Sequence, residues 1–260
     1  MRLATWNVNS LSVRLPFVID WLEEHEPDVL CMQETKQADA SFPASAFADL
    51  GYRAVHHGDG RWNGVAIASR VGLDHPVLGF PDSADDQGTR LVAATCGGMR
   101  VHSVYVPNGR SLESEHYRAK LDWLDRLADY VARTCDPSSP VMVAGDFNVA
   151  PTDADVWDAS QFVGSTHVSG PERDRLGALL DWGLEDIFAR FHPDRGVFSW
   201  WDYRAGDFHN GRGMRIDLVL LSHVLADRSV DAVIDRQARK NRKGNKPSDH
   251  APVVVDLAGA

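Results

Sequence analysis

The chain has 260 residues and a formal net charge of −10, a length that predicts one domain around a substantial core. The negative balance excludes coating nucleic acid by bulk positive charge, because phosphate repulsion would oppose it, while leaving room for a local basic face. No stretch reaches the roughly 18 to 20 apolar residues of a membrane span, and the first nine residues lack a secretory signal's basic head and apolar run, so a soluble, cytoplasmic protein, monomeric by default, is expected.

In chain order, short apolar runs predict strands at residues 2–6, 29–32, 52–56, 65–68, 91–95, 101–106, 141–144, 216–221, 230–234 and 253–257. Amphipathic patterns predict helices at 13–24, with Ser12 as cap, at 113–133 and at about 172–182. The second helix would place Tyr117, Leu121, Leu124, Ala128 and Val131 on one stripe. Strands spread over the whole length with few long helices imply an α/β sandwich with no internal cut point. Cys31, Cys96 and Cys135 are isolated from one another and read as buried, reduced thiols rather than a disulfide framework or thiolate zinc site.

Polar residues interrupt the strands at particular places. Asn7 and Asn9 alternate on one face of an extended segment, although a strand-ending turn also explains them. Glu34 follows the second strand, where a surface role is equally natural. Asp146 and Asn148 follow an apolar strand two residues apart, as an active-site loop or a turn would have them. Residues 206–208 repeat Gly-Asp-Phe without a preceding strand, so that tripeptide alone means little. Asp217 lies within a strand, where an unpaired buried charge is costly, so a partner is expected. Asp249 and His250 precede the last strand, and a structural histidine explains His250 alone. Just before them, residues 236–246 carry six basic residues and no acidic one, a solvated loop or a phosphate-facing one.

Asn7, Glu34, Asp146, Asn148, Asp217, Asp249 and His250 form an oxygen-rich set with one imidazole, suited to Mg2+ or Mn2+ rather than zinc. Phosphodiester hydrolysis requires such a set: a metal to neutralise charge, a base to direct water, and donors for the nonbridging oxygens. Phosphate loops with their lysine, GxSxG elbows and HExxH motifs are missing from the sequence.

The segments WNVNS, QETK, YVPNG, GDFN, SWWDYR, RIDLVLLS and PSDHAPV, in this order over nearly the full length, resemble the exonuclease III type of apurinic/apyrimidinic endonuclease. That type, here similar to its bacterial branch, belongs to the endonuclease/exonuclease/phosphatase superfamily. The resemblance implies a DNase I-like, four-layered α/β sandwich of two packed mixed β-sheets flanked by helices. It also implies a single domain over residues 1–260 and a Mg2+ site, with Mn2+ as substitute, formed by Glu34 with Asn7 and Asp249 close by. Asp146 would orient or deprotonate the attacking water and Asn148 would bind the scissile phosphate or a second metal. His250, held by Asp217, would stabilise the transition state. Tyr105 would contact the phosphate or help the leaving group, and Asn108 would add a phosphate contact. Asn9 stands where some relatives carry Asp.

The same resemblance implies a pocket of Trp200, Met214 and Ile216 for a flipped abasic sugar, with Trp201 equally readable as core. Lys36, Arg61, Arg110, Arg212, Lys240, Arg242 and Lys243 would grip the DNA backbone. The implied reaction cuts duplex DNA 5' of an abasic site, leaving a 3' hydroxyl and a 5' deoxyribose phosphate. Exonuclease action from 3' ends and removal of 3' phosphates or other 3' blocks would accompany it. Three alternatives remain at this point: a phosphatase for small or lipid phosphoesters, a nonspecific nuclease and a catalytically silent DNA-binding scaffold.

Overall fold

The computed structural model describes residues 1–81, 88–194, 196–240 and 246–259. In chain order it runs through β1 (Arg2–Asn7), α1 (Leu11–His25), β2 (Val29–Gln33), α2 (Ala44–Ala48), β3 (Arg53–His57), β4 (Val65–Ser69) and β5 (Asp74–Leu78). Then come β6 (Leu91–Cys96), β7 (Met99–Tyr105), α3 (Glu115–Thr134), β8 (Val141–Asp146), α4 (Gly170–Asp181), β9 (Leu184–Asp186) and α5 (Ile187–Phe191). The last part holds α6 (Asp207–Asn210), β10 (Asp217–Ser222), α7 (His223–Ala226), β11 (Ser229–Ile234) and β12 (Val253–Leu257).

These strands make two six-stranded sheets, ordered β11-β12-β1-β2-β4-β3 and β5-β6-β7-β8-β10-β9. Each is mixed: β1 and β2 run parallel in the first, β7 and β8 in the second, and the other neighbours are antiparallel. Alternate residues of the central strands face opposite ways, and both faces are apolar because both are covered. Leu3, Cys31, Ile67 and Val255 meet Val92, Val101, Met142 and Val219 between the sheets. Ala4, Leu30, Met32 and Val254 turn outward onto Phe17, Val18 and Trp21 of α1. Val104, Val143, Leu218 and Leu220 turn outward onto Trp123 and Leu127 of α3 and Leu176 and Leu179 of α4. The result is a four-layered α/β sandwich, as the resemblance implied.

Several local expectations need correction. The first helix begins at Leu11, so Ser12 lies inside it; Ser10 makes no side-chain cap. The start is set from outside, because the amides of Ser10 and Leu11 donate to the carbonyls of Glu34 and Thr35 at 2.7 and 2.9 Å. On α3 the buried face is Tyr117, Lys120, Trp123, Leu124, Leu127, Tyr130 and Val131, while Leu121 and Ala128 sit at its margin. Trp123 and Tyr130 decide that rotation by packing edge-on against Phe80. Strands β5 and β9 escaped the apolar pattern because both are sheet edges, the first polar and interrupted by Pro76, the second only three residues long. Residues 206–208 enter the short helix α6. Cys31 and Cys96 are buried but Cys135 is only partly so. Arg242 and Lys243 lie outside the described residues.

Candidate active site

Strand register brings the polar interruptions to one end of the sandwich. Asn7 pairs with Gln33 across the parallel β1 and β2, placing Glu34 just beyond. Tyr105 pairs with Asp146 across the parallel β7 and β8, and Asp146 pairs with Asp217 across β8 and β10. Asp249 and His250 arrive from the turn before β12, where the Ser248 hydroxyl donates to the Asn7 carbonyl at 2.7 Å. Gly145 permits this convergence, since a Cβ there would fall 1.9 Å from the Val104 carbonyl oxygen.

Asn7 stands between two acids, its amide nitrogen donating to Glu34 Oε1 at 2.8 Å and to Asp146 Oδ2 at 2.9 Å. Its oxygen accepts the Asn9 amide at 3.0 Å, so in this conformation Asn7 presents a donor, not a ligand oxygen, to the site. Lys36 bonds Glu34 Oε2 at 2.8 Å and Asn9 Oδ1 at 2.6 Å, and Asn9 Nδ2 donates to Asp249 Oδ1 at 2.8 Å. Lys36 is thus turned into the acids rather than outward to a DNA backbone. Glu34, Asp146 and His250 have potential ligand atoms within 4.8 Å of one another. Two hard carboxylates drawn around nitrogen donors fit a divalent cation, which would replace those donors.

His250 is unsuited to ligation. Its Nδ1 lies 2.8 Å from Asp217 Oδ2, and its Nε2 lies 3.9 Å from Asp146 Oδ2. Burial opposes an imidazolium there, but Asp217, Asp146 and Asp249 outweigh it and push the pKa up to about 10. A ring protonated on both nitrogens is a donor, not a metal ligand. Asp217 is completely buried and has the partner its strand position demanded. It also accepts from the Ser199 hydroxyl at 2.6 Å, and that hydroxyl receives the amides of Ile216 and Asp217.

Asp146 is pushed the other way. Burial raises its pKa to about 7, with Asp217 and Glu34 adding to the rise and His250 opposing it, which makes it an acceptor able to take a proton near neutrality. Tyr105 is raised well above the ordinary phenol value by burial first and then by Glu34 and Asp146, so it stays a protonated donor. Asn148, at φ 50, is locked by its amide to Asp146 Oδ1 at 2.9 Å and by its Nδ2 to the Val106 carbonyl at 2.9 Å.

These groups line a cavity of about 240 Å³ together with Asn108, Trp200, Met214 and Ile216. Met214 and Ile216 pack with Ala150 and Val156, and Trp200 leans on that cluster while its indole nitrogen donates to Asp249 Oδ2 at 3.2 Å. Trp201, only 1% exposed, is core. Arg110 and Lys240 are exposed and Arg61 lies over the exposed Trp62. Arg212 is already engaged by Asp207 at 2.6 Å and by the Ala205 carbonyl.

Sequence reasoning missed three residues here. His167 lines the cavity, its Nε2 lying 3.1 Å from Asn148 Oδ1 and 3.2 Å from Asn108 Nδ2. Lys120 and Glu172 form a buried ion pair below it. The only available signals were a lysine on an otherwise apolar helix face and a Ser169/Glu172 capping box at the start of α4.

The family model described as "Endonuclease/Exonuclease/phosphatase family" matches residues 4–250. The chain is 34% identical to exodeoxyribonuclease III of Haemophilus influenzae, covering 99% of this chain and 100% of that protein. Among solved structures, an AP endonuclease from Archaeoglobus fulgidus superposes with a TM-score of 0.95 at 38% identity, covering 99% of both chains. The 3' phosphatase NExo from Neisseria, bound to product DNA hairpin, gives the same TM-score and identity over 100% of both chains.

Proposed function

The chain belongs to the endonuclease/exonuclease/phosphatase family and is a hydrolytic DNA repair nuclease, and we propose that it cleaves phosphodiesters 5' of abasic sites in duplex DNA and clears blocked 3' ends. The observation that carries this reading is the opposition of acceptor and donor across one cavity: the buried Asp146 carboxylate lies 3.9 Å from the Nε2 of a His250 ring held through Nδ1 by Asp217. Asp146 would take the proton of the attacking water while His250 donates to a nonbridging oxygen as negative charge develops there. Tyr105 would donate to the phosphate or leaving oxygen, and Asn108 and Asn148 would bind the phosphate. Trp200, Met214 and Ile216 offer an apolar wall for a deoxyribose lacking its base. A metal, for which we assign Mg2+ with Mn2+ as substitute, would be held by Glu34 and Asp249 with Asn7, Asp146 and Asn148 around it, and would supply Lewis-acid neutralisation. Arg110 and Lys240 would meet the flanking backbone, with Arg212 held back by Asp207. Residues 1–260 would act as one cytoplasmic domain and as a monomer; among the described residues no helix is long and apolar enough to cross a membrane.

A specific observation shifts weight toward 3' ends. His167 lines the cavity with its Nε2 beside Asn148 Oδ1 and Asn108 Nδ2, an imidazole wall that a terminal sugar phosphate would tolerate better than a continuous strand. The test compares a duplex carrying one tetrahydrofuran abasic analogue, an intact duplex and a nicked duplex with a 3' phosphate, each in Mg2+ and in chelator. Metal-dependent incision at the analogue and phosphate release, with the intact duplex spared internally, are expected. Release of phosphate from small esters alone would favour the phosphatase alternative, and equal internal cutting of intact duplex the nonspecific nuclease. His167→Ala should raise incision relative to phosphate release by about fivefold; an unchanged ratio would remove the emphasis on ends.

A further inference from the structure

Below the loops that wall the cavity lies a charge pair that the reaction as described does not use. Lys120 of α3 and Glu172 of α4 are both fully buried and joined through Nζ and Oε1. Such a pair contributes little stability beyond apolar residues of similar volume, because desolvation offsets the attraction. Geometry is what it secures. Lys120 Nζ also donates to the Asn148 carbonyl at 2.6 Å and lies 3.4 Å from both the Asn108 carbonyl and the Thr166 hydroxyl. Glu172 Oε1 accepts the Thr166 hydroxyl at 2.7 Å and the His167 amide at 3.0 Å, and Oε2 accepts the Ser169 amide and hydroxyl.

Two of the residues so held have left-handed backbones: Asn148 and His167 have φ of 50° and 79°, conformations uncommon outside glycine that Asn adopts more readily than His. One end of the ion pair grips the carbonyl of the first, and the other end grips the amide of the second. Their side chains then meet each other and Asn108. The Asn108 loop lies directly on the pair: a Cβ at Gly109 would fall 2.8 Å from Thr166 Oγ1 and 3.1 Å from Lys120 Cδ.

We propose that Lys120 and Glu172 are positioning residues that set Asn108, Asn148 and His167 as one wall of the active site and act on turnover only through them. This rests on the nuclease reading above. The test is a double-mutant cycle on 3' phosphate release from the nicked duplex, using wild type, Lys120→Met, Asn148→Ala and the double variant, each checked for folding by circular dichroism. Lys120→Met should lower kcat by about tenfold or more with KM changed less than about threefold, and in the Asn148→Ala background by less than about twofold. Wild-type kcat in Lys120→Met, or equal losses in both backgrounds, overturns the proposal. If Lys120→Met does not fold, Glu172→Gln goes through the same cycle under the same criteria. A second arm is independent of turnover: amide hydrogen exchange at His167 should accelerate by about tenfold in Glu172→Gln, and unchanged exchange overturns the proposal. A wild-type protein that releases no 3' phosphate would instead sink the 3'-end part of the nuclease reading, and the exchange arm would still decide the positioning role.

Discussion

The two sheets deliver acids to the same end of the molecule from matching strand ends, yet hold them in opposite conditions. Glu34 and Asp249, from the first sheet, are partly exposed and surrounded by nitrogen donors from Asn7, Lys36, Asn9 and Trp200. Burial works against ionised Asp249, but His250 and the bonds from Asn9 and Trp200 outweigh it and lower its pKa. Asp146 and Asp217, from the second sheet, are almost wholly buried, and Asp146 is raised instead. The difference assigns tasks: the first sheet offers partly exposed carboxylates where a cation can enter, and the second sets Asp146 as acceptor against the Asp217–His250 pair as donor.

The largest effect should come from breaking the proton-handling side. Asp146→Ala or His250→Ala should lower kcat by about a thousandfold while DNA affinity, measured by fluorescence anisotropy, changes only a few fold. Near-normal turnover in either variant would dissolve the division of labour. On the first sheet the loss should be recoverable: Glu34→Gln should raise the Mg2+ concentration for half-maximal activity by about tenfold or more, with much of the rate restored at saturating metal. A rate that no Mg2+ concentration restores would move Glu34 to the proton-handling group.

The smallest effect is on stability against pH in chelator. The His250 pKa rises from its ordinary 6.5 to about 10 in the folded chain, so the folded state binds the extra proton between those values. Its contribution is therefore complete below pH 6.5 and lost as pH rises through 10. Raised Asp146 acts in the same direction, with a penalty that grows from its ordinary 3.8 up through about 7. Melting temperature should thus fall from pH 6 to pH 10, on the order of a few degrees, and fall less in Asp217→Asn. In that variant the His250 titration followed by NMR should move to lower pH; an unmoved midpoint would mean that Asp217 does not hold the proton.

How far these features were legible depended on whether they are local. Strand β8 could be read because Val141 to Ala144 is an unbroken apolar run that ends in Asp146, and β2 likewise because Val29 to Met32 precedes Glu34. Edge strand β5 could not, since an exposed strand containing Pro76 has no apolar face to declare itself. Lys120 escaped notice because its partner stands 52 positions away on α4. Asn7 showed an amide two residues before another, but nothing in that spacing says that its nitrogen would turn to Glu34 and Asp146 and its oxygen to the Asn9 amide.

The sequence by itself determined the α/β layering and the placement of acids, amides and His250 at strand ends, because apolar periodicity and charge interruption are properties of short segments. Only the tertiary structure decided which of those ends converge. The parallel registers of β1 with β2 and β7 with β8 carry Glu34 and Tyr105 to the same rim, and a rim histidine with a buried ion pair beneath closes its wall. Such contacts join residues dozens of positions apart, and no local pattern encodes a distance that exists only after the sheets have packed.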